Sequence, residues 1–222
     1  MLNKPVQSLR SITLTNGNIK DLASHIEQLN IRGSVSLHQE VSLQKISTHG
    51  YSSFYFRVEA HTLKSSGSCK IKGVCEINEV MNAGNLKIRK GQVKTLNSSG
   101  KLTIEQYLQT ENMEAIGIVK ALEIQAKSFS LKLSGESTIE RLIADEVYVE
   151  KDKLTFSFLK KKLNCKCIKG KTLNLSFTTA DVVEGDVVVV GNNCNIRTLY
   201  YTESYSISPN AKVQQIIRRE RE

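Results

Sequence analysis

The side chains able to do chemistry are few and scattered. His25, His38, His49 and His61 all lie before residue 62, share no metal-ligand spacing and have no cysteine beside them. They read as surface or partly buried residues. The cysteines are Cys69, Cys75, Cys165, Cys167 and Cys194, an odd count. Each occupies a place where an apolar residue would fit the local alternation, as in Cys69-Lys70-Ile71. That pattern reads as small buried residues in a reducing compartment, not as a disulfide framework. Cys165-Lys166-Cys167 would need two further ligands to hold a metal, and the sequence offers none nearby. Asp181, Glu184 and Asp186 are close in sequence. Glycosidase chemistry needs two carboxylates close together on an open face, whereas these three sit around the Gly185 turn and are expected to face solvent. No catalytic, cofactor-binding or metal-binding residue is assigned, and no cofactor is expected.

The formal charge is +9, from 31 Lys and Arg against 22 Asp and Glu. Such a balance suits nucleic acid or an anionic membrane surface. The charges are dispersed, however. The densest run is Lys160, Lys161 and Lys162, followed by Lys166, Lys169 and Lys171, and it reads as a solvated face. The aromatic cluster is Tyr51 to Phe56, with Arg57 and Lys64 the nearby cations. Alternation groups Tyr51 with Tyr55 and Phe54 with Phe56, which favours aromatics stacked in a sheet over a nucleobase platform. Nucleic acid is therefore not the expected partner.

What positions these residues is a repeat. Gly17, Gly33, Gly50, Gly67, Gly84, Gly100, Gly117 and Gly135 follow one another at 16 to 18 residues, using eight of the 13 glycines. A fixed period of this length signals a solenoid. Within a unit the apolar residues fall in three short groups: Cys69 and Ile71, Cys75 and Ile77, then Val80. The next unit has Leu86 and Ile88, Val93, then Leu96. Three groups with two-residue alternation describe a coil with three short faces. Such a coil cannot bury its inner face alone, but a stack of coils can. The expected fold is all-β, a single-stranded parallel β-helix of about 17 residues per coil, with the glycines at corners where positive φ costs little. A β-sandwich also uses many short strands but has no reason to hold glycine at one step.

Three places test this pattern. KDLASHIEQLN also fits a helical stripe through Leu22, Ile26 and Leu29, but Gly17 and Gly33 bracket it. TENMEAIGIVKALEI contains good helix formers, yet Gly117 keeps the step. Both are assigned to coils. Farther on, Leu154, Phe156 and Phe158, then Leu163, Cys165 and Cys167, then Leu173, Leu175 and Phe177 continue the alternation. The expected organisation is a flexible arm over 1–11, the β-helix over 12–213 and a charged tail over 214–222. About 195 residues at ~17 per coil give ~11 coils and a stack of ~50 Å.

The coils, the segment ADVVEGDVVVVGNNCNIRTLYY and the AKV that follows resemble the bactofilins, bacterial polymer-forming cytoskeletal proteins, in their longer form. The resemblance runs from about Leu29 to Val213. It implies a right-handed β-helix that joins end to end into nonpolar filaments without nucleotide, a related paralogue being a possible co-polymer. It also implies a membrane-contacting N-terminal peptide, to which Met1, Leu2 and Lys4 are a rough match. The opening MLNKPVQSLR lacks the apolar run of a secretory signal. The expected location is the cytoplasm, with a peripheral place at the inner face of the membrane if the arm makes contact.

The expected function is a non-enzymatic scaffold that self-assembles end to end, since an uncapped β-helix end exposes unpaired backbone and core. Two other readings compete. A β-helix binding module for an anionic surface or nucleic acid would use the net charge. A hexapeptide-type transferase is suggested by Val190-Gly191-Asn192-Asn193-Cys194-Asn195, a single unit of that kind. Transferases need a base, usually histidine, in the later coils, and none stands there.

Overall fold

A computed structural model describes residues 10–153 and 160–220. The strands are β1 (Ser11–Ile19), β2 (Gln28–Leu37), β3 (Val41–Thr48), β4 (Tyr51–Phe54), β5 (Val58–Ser65), β6 (Ser68–Asn82) and β7 (Asn85–Ser98). They continue with β8 (Lys101–Leu133), β9 (Glu136–Lys151), β10 (Lys162–Lys169), β11 (Thr172–Leu175), β12 (Thr178–Val190), β13 (Asn195–Ile207) and β14 (Lys212–Arg218). The pairings are parallel and join neighbouring coils, as in Val41 to Val58 to Cys75. The result is a parallel β-solenoid of about 12 turns, with roughly 17 residues per turn. No helix occurs among the described residues. TENMEAIGIVKALEI lies within β8, and Lys20 to Glu27 forms a short turn-containing connection. Helix propensity loses in β8 because inter-coil pairing and an inward column are available at every second residue.

The inward residues fall into the three groups read from the sequence. In the coil of β6 they are Cys69 and Ile71, Cys75 and Ile77, then Val80 and Asn82, all buried. One coil on they are Leu86 and Ile88, Val93, then Leu96 and Ser98. Between groups, two or three consecutive residues face outward and turn the chain, as Gln44 and Lys45 do between Leu43 and Ile46. Stacking aligns these groups into columns such as Leu29, Ile46, Leu63, Val80 and Leu96, which form one axial core. Each fully buried aliphatic side chain contributes roughly 1.5–3 kcal/mol.

These corners correct three expectations. Phe54 is buried, but β4 ends there, so Phe56 is half exposed at 50% and does not join it inside. Ile168 takes the inward place next after Cys165, leaving Cys167 only half-buried. Phe177, read as one more inward residue, sits half-buried at the turn between β11 and β12. The alternation expected at Leu154, Phe156 and Phe158 lies outside the described residues, as does most of the arm over 1–11. At the other end β14 runs past residue 213, because Ile216 extends the inward column above Leu199.

The glycine ladder has a different cause from the one expected. Of its members, Gly17 (φ 130°) and Gly117 (φ 158°) have positive φ. What Gly33, Gly50, Gly67, Gly84 and Gly100 share is close approach. A Cβ on Gly50 would collide with the carbonyl oxygen of Gly33, one on Gly67 with that of Gly50, and one on Gly84 with that of Gly67. Each carbonyl is held there by the residue after the next glycine. Ser68 N–H donates to Gly50 O at 2.8 Å, Asn85 N–H to Gly67 O at 2.8 Å and Lys101 N–H to Gly84 O at 2.9 Å. The carbonyl that carries the inter-coil bond therefore fills the space a side chain would need. Beside this ladder Asn82 is buried; its amide donates to Ser98 Oγ at 2.9 Å, and its Oδ1 accepts from Gly84 N at 3.1 Å.

The period breaks once. Glu136 of β9 pairs with Lys162 of β10, 26 residues on, and Thr172 of β11 pairs with Val187 of β12, only 15 on. β9 ends at Lys151, and the pairing resumes in register where β10 starts at Lys162.

The steric cause of the ladder gives the first prediction. Gly67→Ala or Gly84→Ala should lower stability by at least about 2 kcal/mol in urea unfolding, because backbone must move. Gly33→Ala should be comparably damaging, since its Cβ would meet the carbonyl of Thr15. Asn82→Ala should cost about 1–3 kcal/mol by stranding its buried partners.

Candidate functional site

The most open parts of the core are the two ends of the stack. At the N-terminal end β1 pairs with β2 alone. Its inward residues Ile12, Leu14 and Ile19 rest on Leu29, Ile31 and Leu37, yet are themselves only partly buried. Leu22 and Ile26 lie partly buried against the same core. The other edge of β1 is uncovered among the described residues. Arg10 N–H donates to the carboxylate of Glu27 at 3.0 Å and fixes the entry of the chain.

At the C-terminal end β14 covers only part of β13. Val213 and Ile216 lie over Ile196 and Leu199, and Ile216 is 41% exposed. From Ser204 onward β13 pairs with β12 but has no strand above it. Tyr205, in register with the buried Val188, is consequently 43% exposed although its column points inward. Tyr201 and Tyr205 pack with ring centroids 4.6 Å apart. Arg219 closes one side, 2.8 Å from Glu184 and 4.0 Å above the Tyr200 ring. This end was legible only in part, because the charged residues after Ile217 mask an apolar column that still continues.

The residues considered for chemistry are not brought together. His49 meets Ser66 Oγ at 2.7 Å, His61 meets Asn78 at 3.0 Å, and His38 stacks on Tyr55 at 4.2 Å with Lys72 Nζ 3.5 Å from the same ring. Asp181 pairs with Arg197 at 3.0 Å, Glu184 with Lys169 at 2.9 Å, and Asp186 accepts from Thr202 at 2.6 Å. No group of three metal-ligating side chains forms among the described residues. Nor is any helix among them long and apolar enough to cross a membrane.

All five cysteines are free, and burial sets their chemistry. Desolvation pushes the Cys69 thiol up to about 11, although Ser52 and Thr48 hydrogen-bond to it and act the other way. Burial likewise pushes Cys75 and Cys165 up to about 12. Such thiols stay protonated at neutral pH and are poor nucleophiles and metal ligands.

A long open groove of about 860 Å³ runs along one corner of the stack. One rail includes Glu59, Glu76 and Gln92, the other His61, Asn78 and Lys94, with Ala60, Ile77 and Val93 as the floor. Its polar groups largely satisfy one another between coils: Arg57 bridges Glu59 at 2.7 Å and Glu76 at 2.9 Å, and Glu76 and Glu59 raise its pKa. The groove follows from the corner geometry, which sets equivalent residues of successive coils side by side.

Comparison with protein-family models, curated proteins and solved structures finds no match to this chain.

The buried thiols make stability depend on alkaline pH. Their folded pKa values lie above the ordinary 9.0, so their contribution is complete below about pH 9 and is lost as pH climbs toward 12. The urea midpoint should fall over that window. Cys75→Ala should start from a lower midpoint at neutral pH but decline less steeply. In the native protein Cys167 should be alkylated first.

Proposed function

We propose that this chain is a non-enzymatic structural scaffold that assembles end to end into filaments without nucleotide or cofactor. The observation that carries the reading is the pair of uncovered ends. Each offers one free strand edge together with inward-pointing apolar side chains: Ile12, Leu14 and Ile19 at one end, Val213, Ile216 and Tyr205 at the other. A free edge is a template for pairing with another chain. An end contact that advances along the axis does not close, so repetition gives an open polymer. The same parallel pairing that adds a coil within the chain then adds a coil between chains. In this reading the partner is another copy of the chain, working in the cytoplasm, and the bactofilin-like coils and C-terminal segment are in keeping with that role.

Negative-stain electron microscopy of the purified protein without nucleotide should show filaments. Uniform monomers across salt and protein concentration would refute the proposal. Ile12→Arg and Ile216→Arg each place a charge in a junction, where an unpaired ion costs several kcal/mol. Each should shift sedimentation toward the monomer while far-UV circular dichroism retains the β signal.

A further inference from the structure

Each coil passes three faces in a fixed order, and the two ends of the stack stop at different points of that order. β2 covers the first face with residues 28–31 and the second with 34–37. β3 covers the third with 41–43 and returns to the first with 45–48. At the N-terminal end β1 starts on the first face with residues 11–14 and fills the second with 16–19. The connection over 20–27 then lies beneath the third face. There Leu22 N–H donates to Gln39 Oε1 at 2.9 Å, and Glu27 O accepts from Gln44 and Lys45 at 2.9 and 3.1 Å.

Followed from coil to coil, the row of first-face strands that begins at residues 11–14 ends at residues 204–207, with β8 supplying two successive members. β14 adds only the second and third faces, at 212–213 and 215–218. The C-terminal end is therefore a step. β14 stands one strand higher than residues 204–207, whose upper edge has no partner among the described residues. We propose that copies join head to tail in one rotational phase, residues 11–14 of one copy seating in this step on residues 204–207 of the next. This rests on end-to-end assembly as the function and specifies its joint.

The stop and the start are complementary. The last strand ends on the third face and the first begins on the first face, so β1 follows β14 as the next coil would. In that phase the inward columns continue as well. Tyr205 and Ile207 stand in register with the buried Val188 and Val190, and Ile12 and Leu14 with the buried Leu29 and Ile31. Seating brings Ile12 over Tyr205 and Leu14 over Ile207, covering a tyrosine that is 43% exposed. On the second face Ile19 comes over Val213, and on the third Leu22 and Ile26 come over Ile216. Residues 11–19 and 204–207 include no charged side chain, so no ion is desolvated as these edges pair.

A face-to-face joint leaves the step unfilled. A two-fold axis can bring two β14 edges together, but each edge lies one strand above its own step, so residues 204–207 of both copies stay short of a partner. Backbone groups sealed in a joint without hydrogen bonds oppose that arrangement. The head-to-tail filament is polar, whereas the bactofilin resemblance implies a nonpolar one.

Cysteine cross-linking separates the two. Thr13 and Ser206 are exposed, at outward places of their strands. The joint sets them opposite each other at the strand spacing of ~4.8 Å, within reach of a disulfide. Thr13→Cys and Ser206→Cys, each in a Cys167→Ser background, are mixed before assembly and linked by mild oxidation or a short bismaleimide. The mixture should give a covalent dimer of one variant with the other, and neither variant alone should link. A chain carrying both substitutions should give a ladder of covalent multimers. Filaments in which each variant links to itself, or in which the mixture does not link, overturn the head-to-tail joint and leave end-to-end assembly standing. A native chain that stays monomeric in sedimentation overturns both. Both positions lie outside the core, so circular dichroism should show the variants folded.

Discussion

The structure depends on one contact, the carbonyl of a corner glycine lying where the next coil would otherwise carry a Cβ. It is both an inter-coil hydrogen bond and a steric exclusion. From Gly33 to Gly100 each member imposes glycine on the member above it. Coil length is thereby held close to a constant, because a residue added or lost would bring a side chain against that carbonyl. Once the length is held, the inward residues stack as columns, and the columns are the core. Within a column the chemistry varies more freely than the spacing. Ile31, Thr48, Ser65, Asn82, Ser98 and Ala115 occupy equivalent places. Small polar residues in the middle of that column fit beside the corner, at the expense of the buried hydroxyl of Ser65, which lacks a partner.

The columns were legible in the sequence because alternation and period are both one-dimensional signals. Cys69 with Ile71, Cys75 with Ile77, and Leu86 with Ile88 all stand where the pattern put them. The failures share a cause. Phe56, Cys167 and Phe177 each sit at a corner, where two or more consecutive residues face out or the backbone turns left-handed. Alternation carried across a corner assigns the wrong face. The reason for the glycines was hidden in another way. A sequence shows that glycine recurs but not which way its carbonyl points, so a close approach looks like a turn with positive φ.

The break in period shows what the ladder permits. A solenoid coil touches only its neighbours, so a longer excursion costs mainly loop entropy, which grows slowly with length. β9 ends at Lys151, β10 begins at Lys162 in register with Glu136, and the next step is shortened to 15. Here Lys151 and Lys160 to Lys162 line one cavity together with Phe177 and Thr179. No sequence motif marks this place, because Lys151 and Thr179 come from different coils and only the pairing of β9, β10 and β12 brings them together.

The ends follow from the same physics as the middle. Every interior coil has a neighbour above and below, so its backbone is paired on both sides and its inward residues are covered. β1 and β14 have one neighbour each among the described residues. Nothing in the repeat itself stops it; a stack of this kind has no preferred length. Natural sheets blunt such edges with charge, and Lys212, Arg218 and Arg219 stand beside the last strand in that position. Yet they flank the edge while Ile216 and Tyr205 stay uncovered within the inward columns. Charge placed around an apolar edge, and not upon it, limits indiscriminate aggregation while leaving the column itself free to be continued. Under the proposed end-to-end assembly a second copy would meet that condition, because its columns obey the same spacing.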